Sequence, residues 1–256
     1  MTKHPIVQFI DGMKACTAVT MPSELLARDA SKYAESFFIP NYIENILYPE
    51  HNHKPFDPNK IVIGWGGSLS HIESFEYSGV VPALRKILSE RENVYLLIVG
   101  DERVVSKLKE MGVRKDRIIY HPYVSYDRWY QTLQLYDIGI APLAQEYDMR
   151  RSWIKAVEYM IMGIPFVATD TAPYHNPRVR HACRTGYFVD QGDNADMENE
   201  QDWYRALTTM ISKMPDMKKK AEMDMEEHYE SFLIDNNVGS IIQAYQAIIA
   251  LEKGLL

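Results

Sequence analysis

VIGWGGSLSH, residues 62–71, closes an apolar run with three glycines and a serine, immediately before a helical pattern. Glycine lets backbone approach another molecule closely, and a helix N-terminus attracts anions. The stretch is therefore either a plain strand-to-helix turn or a phosphate cradle, and a short glycine-rich match is weak by itself. The pattern around it decides the fold. KIVIGW (60–65), NVYLLIVG (93–100), RIIYHPYV (117–124), DIGIAPL (137–143) and IPFVATD (164–170) are apolar runs of strand length, and GYFVD (186–190) is a shorter one. Helical patterns separate them. One runs from Glu73 to Arg91 with Val81, Leu84 and Leu88 on one face. VVSKLKEMG closes on Gly112, YDRWYQTLQLY follows the third strand, and WIKAVEYMIMG closes on Gly163. Apolar strands alternating with helices predict a parallel sheet covered on both faces, with right-handed crossovers. The fold class is α/β, a Rossmann-like doubly wound parallel sheet with ligands at the carboxyl ends of the strands.

The flanks read differently. TAVTMPSELLARDASKY (17–33) is a short strand, a cap at Ser23 and a helix, and SFFIPNYIENIL (36–47) returns as an extended segment. HNHKPFDPNK (51–60) is polar with two prolines and reads as a linker, with a boundary near Asn59. This divides the chain into an N-terminal appendage (1–58), the Rossmann-like domain (59–215) and C-terminal helices (216–256). In that last part KKKAEMDMEEHYESFL is highly charged. SIIQAYQAIIALEKGLL is a long helix whose apolar face must pack on something.

Composition sets the limits. The chain has 256 residues, 46% hydrophobic and 25% charged, with a net charge of −7. That is a globular profile, and it argues against a broad basic surface for nucleic acid while leaving room for a local basic pocket. Cys16 and Cys183 fit neither a disulfide framework nor a zinc cluster and read as thiols in a reducing compartment. No apolar run approaches the roughly 18 residues of a membrane span, and MTKHPIVQFIDG lacks the features of a secretory leader. The expected location is cytoplasmic, or peripheral to a membrane. The 17 tyrosines suit base stacking or sugar binding, although packing accounts for most of them.

Three loops are candidate sites, each just after a strand. Gly66, Gly67 and Ser68 follow the first. Tyr123 and Val124, after the third, are placed to border a flat base. The richest is PLAQEYDMRRSWIKAVEYMIMGIPFVATD (142–170). There Arg150, Arg151 and Ser152 stand at the start of a helix, where cations oppose the helix dipole unless an anion is bound. Two guanidiniums can fork onto phosphate oxygens. Lys155 and Glu158 lie on one side of that helix, opposite Ile154, Val157 and Ile161. A surface Lys–Glu pair, worth a few tenths of a kcal/mol, is the bland reading. A glutamate one turn further in is instead placed to accept hydrogen bonds from a vicinal diol.

VIGWGGS, NVYLLIVGD, IIYHPYVSYDRWYQTLQLYDIGIAPL and the helix around Glu158 followed by GIPFVATD, in this order over residues 60–190, resemble the C-terminal half of a GT-B glycosyltransferase of the family 4 (group 1) type. TAVTMPSELL and FFIPNYI resemble the close of that family's N-terminal domain, so residues 1–58 would be its remnant. The resemblance implies a hexosyltransferase-type enzyme of glycan biosynthesis. It would use a nucleotide-sugar donor such as a UDP- or GDP-sugar, and an unidentified glycan, lipid or protein acceptor. It implies that Glu158 holds the ribose, that Gly66, Gly67 and Ser68 face the pyrophosphate, and that the loop of Tyr123 and Val124 meets the base.

The chain departs from the family in three respects. Arg150 stands where the family commonly has a glutamate, eight positions before Glu158. SLSHIESFEYSG (68–79) lacks the arginine and lysine that commonly follow the first glycine loop, so Arg151 and Lys155 are expected to supply that charge and stabilise the leaving group. Most of the acceptor-binding half has no counterpart in the chain. Hence the chain is a fragment, or a homo-oligomer or partner supplies the other half, or the domain only binds nucleotide. The final helix resembles the segment that returns to the N-terminal domain. No Asp-x-Asp follows a strand, Asp224 reads as part of a solvated face and His71 as a surface histidine. No cofactor and no metal are expected. The alternatives are a nucleotide-sugar-binding module inactive by itself and a non-hydrolysing sugar-nucleotide epimerase. A dinucleotide dehydrogenase fits poorly, because GWGGS is not Gly-x-Gly-x-x-Gly.

Overall fold

The computed structural model describes residues 4–45, 57–190 and 198–254. Most of the expected linker, 51–56, falls outside them. The strands are β1 (Ala18–Met21), β2 (Glu35–Phe38), β3 (Ile61–Gly67), β4 (Val94–Gly100), β5 (Ile118–Pro122), β6 (Ile138–Ala141), β7 (Phe166–Thr169) and β8 (Tyr187–Val189). The helices up to β6 are α1 (Pro5–Lys14), α2 (Glu24–Ala30), α3 (Ile72–Tyr77), α4 (Val80–Glu90), α5 (Glu102–Glu110) and α6 (Trp129–Leu133). After β6 come α7 (Gln145–Asp148), α8 (Ile154–Ile161), α9 (Pro177–Ala182), α10 (Glu198–Ser212), α11 (Met214–His228) and α12 (Val238–Glu252).

β3 to β8 form one all-parallel sheet in the order β5-β4-β3-β6-β7-β8. Counted from β3 this is 3-2-1-4-5-6, the doubly wound order. Its direction reverses between β3 and β6, where a crevice opens beyond the carboxyl ends. Strand side chains alternate between two apolar cores. Val62, Leu97 and Val99 face one, with Tyr136, Val157 and Phe166. Ile63, Trp65, Leu96 and Ile98 face the other, with Leu84, Leu88 and Trp203. At the amino end, the buried Asp137 carboxylate accepts from Val62 N at 2.8 Å and pairs with Lys218 of α11 at 2.6 Å.

Two local readings need correction. The expected helix from Glu73 to Arg91 is two helices, α3 and α4. They are broken at Gly79, which takes a left-handed φ of 81° and starts α4. The turn expected at Gly66 and Gly67 is also absent, because both pair with β4 as the last residues of β3.

The appendage is a β-α-β unit. β1 and β2 pair in parallel, and Ser23 caps α2 through a bond from Leu26 N at 3.3 Å. α1, which the sequence reading did not assign, precedes it. The unit docks on the carboxyl side of the large sheet. Ile43 forms an isolated bridge with Leu233, and Trp153 Nε1 donates to Asn41 O at 3.0 Å. α12 buries none of its residues, and Val238, Ile242, Tyr245 and Ile249 are exposed along it. The packing expected of that helix is not made within the described residues.

A Cβ at Gly79 would sit 2.9 Å from Asn199 Cβ on top of the left-handed strain. Gly79→Ala is expected to cost about 1–3 kcal/mol, lowering Tm by roughly 2–4 °C per kcal/mol, as read by differential scanning calorimetry.

Candidate functional site

Lys155 sits in the first turn of α8 and reaches across to donate to Gly66 O at the end of β3. Its ammonium also lies 5.1 Å from the centroid of the Trp65 ring. Desolvation in this crevice pulls its pKa down to about 8; Glu158 opposes that shift and Arg151 adds to it. Arg151 spreads its guanidinium over three partners. Nε donates to Asp148 Oδ1 at 2.6 Å, while Nη2 donates to Ser70 O and Nη1 contacts His71 Nε2, both at 3.1 Å.

Asp148 is the fixed point beneath that guanidinium. It is 3% exposed, and its second oxygen accepts from Ser74 Oγ at 2.7 Å and Ala144 N at 2.8 Å. Gln145, at the start of α7, adopts φ +64°, an unusual conformation for a residue with a side chain. It lies between Ala144 and Asp148, so a strained backbone step helps to aim the carboxylate.

His71 is not a surface group. Burial, with Lys155 and Arg151 nearby, drives its pKa down to about 3, so the ring is neutral and Nε2 can accept from Arg151. His71 Nδ1 and Trp65 Nε1 are buried with no hydrogen-bond partner among the described residues. The site thus brings together two cations and a histidine that burial, aided by their field, keeps uncharged.

Glu158 lies one turn beyond Lys155 and is 9% exposed, which removes the bland reading of a solvated pair. Its Oε1 accepts from Trp129 Nε1 at 3.0 Å. The same Trp129 ring lies on Gly66, where any Cβ would overlap it. One indole therefore spans the glycine end of β3 and the carboxylate of α8.

The other expected residues are placed as follows. Gly67 and Ser68 continue from Gly66 at the same edge, and Ser68 Oγ shares a hydrogen bond with Ser70 Oγ at 2.8 Å. Tyr123 is exposed and Val124 half-buried in the loop after β5, at the carboxyl edge of the sheet. Arg150 is the exception. Its Nε donates to Asp29 Oδ2 of α2 at 2.6 Å and its Nη1 to Glu146 O at 2.6 Å, so it fastens the appendage instead of joining Arg151. Ser152 binds Asn41 Nδ2 at 2.9 Å, and α8 begins only after Trp153. Trp129, Trp65, Ser74 and Asp148 were not singled out from the sequence. Asp148, three residues before Arg151, carried the only readable spacing signal. A cavity of about 620 Å³ opens beside these groups, between α2 and the loop after β7, with Arg151, Arg28 and His175 in its wall.

A parallel doubly wound sheet with a cationic crevice at its switch point is the arrangement in which α/β domains place their ligands. Residues 60–211 match the family of glycosyl transferases group 1, and the chain belongs to that family. No curated protein matches the chain in sequence. Among solved structures, sucrose-phosphate synthase from Thermosynechococcus elongatus superposes at a TM-score of 0.67 with 17% identity, over 96% of this chain and 61% of that one. The Anabaena protein HepE, in complex with UDP and glucose, gives 0.64 and 15%, over 90% and 63%. The α,α-trehalose 6-phosphate synthase of Burkholderia multivorans gives 0.64 and 10%, over 97% and 62%. This chain thus spans less than two thirds of each. At such identities the likeness is one of fold.

Because a bound anion stabilises charged Lys155, affinity for a nucleoside diphosphate is expected to fall as pH rises through about 8. Calorimetry should show a loss of roughly tenfold between pH 7 and 9 for a single group whose pKa the ligand restores. Lys155→Arg is expected to flatten that dependence. Lys155→Ala and Arg151→Ala should each weaken binding at least about tenfold at pH 7.

Proposed function

We propose that the chain is the donor-binding half of a glycosyltransferase of the GT-B, family 4 type, which holds a nucleoside diphosphate sugar in the crevice between β3 and β6. The observation that carries this is the Lys155–Arg151 pair, two cations brought together beside the glycine end of β3, one of them held there against desolvation. Arg151 is neutralised in part by Asp148, whereas Lys155 faces a carbonyl, an aromatic ring and a carboxylate that Trp129 already engages. A diphosphate is the ligand whose charge both cations can meet at once. Glu158, one helical turn away, takes the ribose hydroxyls, and the loop of Tyr123 and Val124 borders the base.

In the reaction, charge builds on the diphosphate as the glycosidic bond breaks. Fixed cations in a partly dry crevice favour that developing charge more than they favour the intact donor. The residues that meet it belong to the chain itself, so donor binding is proposed to need no metal or cofactor. The 620 Å³ cavity beside Arg151 gives the transferred sugar and the acceptor room. The acceptor is a glycan, a lipid or a protein, with the remaining acceptor half supplied by further chain, a second copy or a partner. A cytoplasmic location is part of this reading. Among the described residues, no helix is long and apolar enough to cross a membrane.

A module that binds the donor without turnover by itself is the second reading, supported by the share of the solved structures that the chain spans. The family match favours transfer over epimerisation. Thermal-shift measurements with UDP, GDP, ADP and their sugar conjugates test the donor class. Stabilisation that persists in EDTA is expected, and loss of all binding on chelation would remove the metal-free reading. Incubation with the sugar nucleotide alone is expected to leave its sugar unchanged.

Glu158→Ala separates sugar recognition from charge. It should weaken nucleoside diphosphate binding at least about tenfold yet leave inorganic pyrophosphate affinity within about twofold. Equal losses for both ligands would remove the ribose role.

A further inference from the structure

Outside the donor crevice, α9 and the end of α11 bring His181, Glu227 and His228 together. One ligand atom from each lies within 4.8 Å of the others. Their rings meet edge to face, with His181 and His228 centroids 4.9 Å apart. His228 is 8% exposed, and its Nε2 is buried without a hydrogen-bond partner among the described residues. A buried imidazole nitrogen in that condition is costly and needs an explanation. Glu227 Oε1 lies 3.5 Å from that nitrogen. Two ligands about 2.1 Å from a tetrahedral ion stand roughly 3.4 Å apart, so this separation is that of two groups sharing one ion rather than one hydrogen bond.

The neighbours hold the carboxylate in place. Arg184 binds the other oxygen of Glu227 and reaches Asp224 Oδ1 at 3.1 Å, leaving Oε1 turned toward the histidines. Asp224 itself is not part of a solvated face. It is 5% exposed, and its Oδ2 accepts from Thr185 N at 2.6 Å and Thr185 Oγ1 at 2.7 Å. The turn after α9 is thereby locked to α11, which presents the three donors together.

We propose that His181, Glu227 and His228 form a binding site for a divalent transition metal, Zn²⁺ in the first place, with water completing the coordination. Two imidazoles and one carboxylate match zinc and its neighbours and are a poor set for magnesium or calcium, which take oxygen donors. The ion staples α9 to α11. α9 begins at Pro177, which with His175 lies in the wall of the 620 Å³ cavity, so the staple braces that wall. None of the three ligands belongs to the groups that hold the diphosphate, so the site is structural and independent of donor binding.

The test compares melting temperature and zinc content after chelator treatment. The wild-type chain is expected to take up one Zn²⁺ and to melt at a higher temperature with zinc than in chelator. His181 is exposed, so His181→Ala should melt with the wild type in chelator. It should gain no zinc shift and bind Zn²⁺ at least about tenfold more weakly in competition with a chromophoric chelator, the loss typical even of an outer-shell partner. The double variant His51→Ala/His53→Ala should keep the full shift, which separates this site from the His-Asn-His stretch. A wild-type Tm that zinc leaves unmoved overturns the proposal, as does a His181→Ala chain with the wild-type zinc shift.

Discussion

A single buried-side cation organises the molecule's working face. Lys155 keeps its ammonium on the backbone oxygen of Gly66, in a crevice where desolvation works against the charge. Such a position is expensive in an empty protein, and much of the surrounding structure serves to hold it. β3 must end in residues without side chains, because a Cβ at Gly66 would overlap the Trp129 ring and one at Gly67 the Trp65 ring. Trp65 must lie beneath the ammonium, and α8 must begin at the right height. Arg151 adds a second cation to the same spot, beside a His71 that burial keeps neutral. Two cations drawn together, one of them desolvated, are a poor way to stabilise a fold, and the proposed anionic ligand accounts for them.

α8 is placed by contacts that reach across the whole chain. Trp153, just before its first residue, is 4% exposed and packs edge-on against Phe38 from the appendage and Phe232 from the segment before α12. Its indole nitrogen is bound to Asn41. Arg150, two residues before Ser152, is tied to Asp29. The stretch that leaves the appendage and the one that leads into α12 therefore grip the start of the helix bearing Lys155 and Glu158. A movement of the appendage must pass into the positions of the cations, because the contact is rigid and aromatic rather than a mobile surface pair.

How much of this was readable from residues depends on the range of the interaction. The strands of the large sheet were legible because they are apolar runs, and β3, β4, β6 and β7 are largely buried on both faces, a property of consecutive residues. Ser23 as a cap was legible for the same reason. Gly79 was visible, but whether a glycine inside a helical pattern is tolerated or breaks the helix depends on what packs beside it, here Asn199 and Glu200. The pair Arg150–Arg151 looked like one feature. Its members part because Asp148 lies three residues away from one, while Asp29, the partner of the other, lies 121 residues away. Trp129 carried no local signal, since its role comes from the way β3, α6 and α8 meet. Asp224 shows the same limit in the opposite sense. A charged sequence suggested a solvated face, and Thr185 and Arg184 made it a buried joint.

The exposed face of α12 belongs with this picture. Fifteen residues with Val238, Ile242, Tyr245 and Ile249 in solvent contrast with α4, α8 and α10, which bury their apolar sides in the two cores. The helix leaves the body just after Leu233 and Ile234 bridge to Ile43, the point where the appendage joins. The appendage itself is two parallel strands and a helix, too small a sheet to bury its own faces. A two-stranded sheet and an uncovered helix are deficits of the same kind, apolar faces without a cover. Under the function proposed above, an α/β layer laid over the crevice would cover such faces, exclude water from Lys155 and strengthen its hold on the anion.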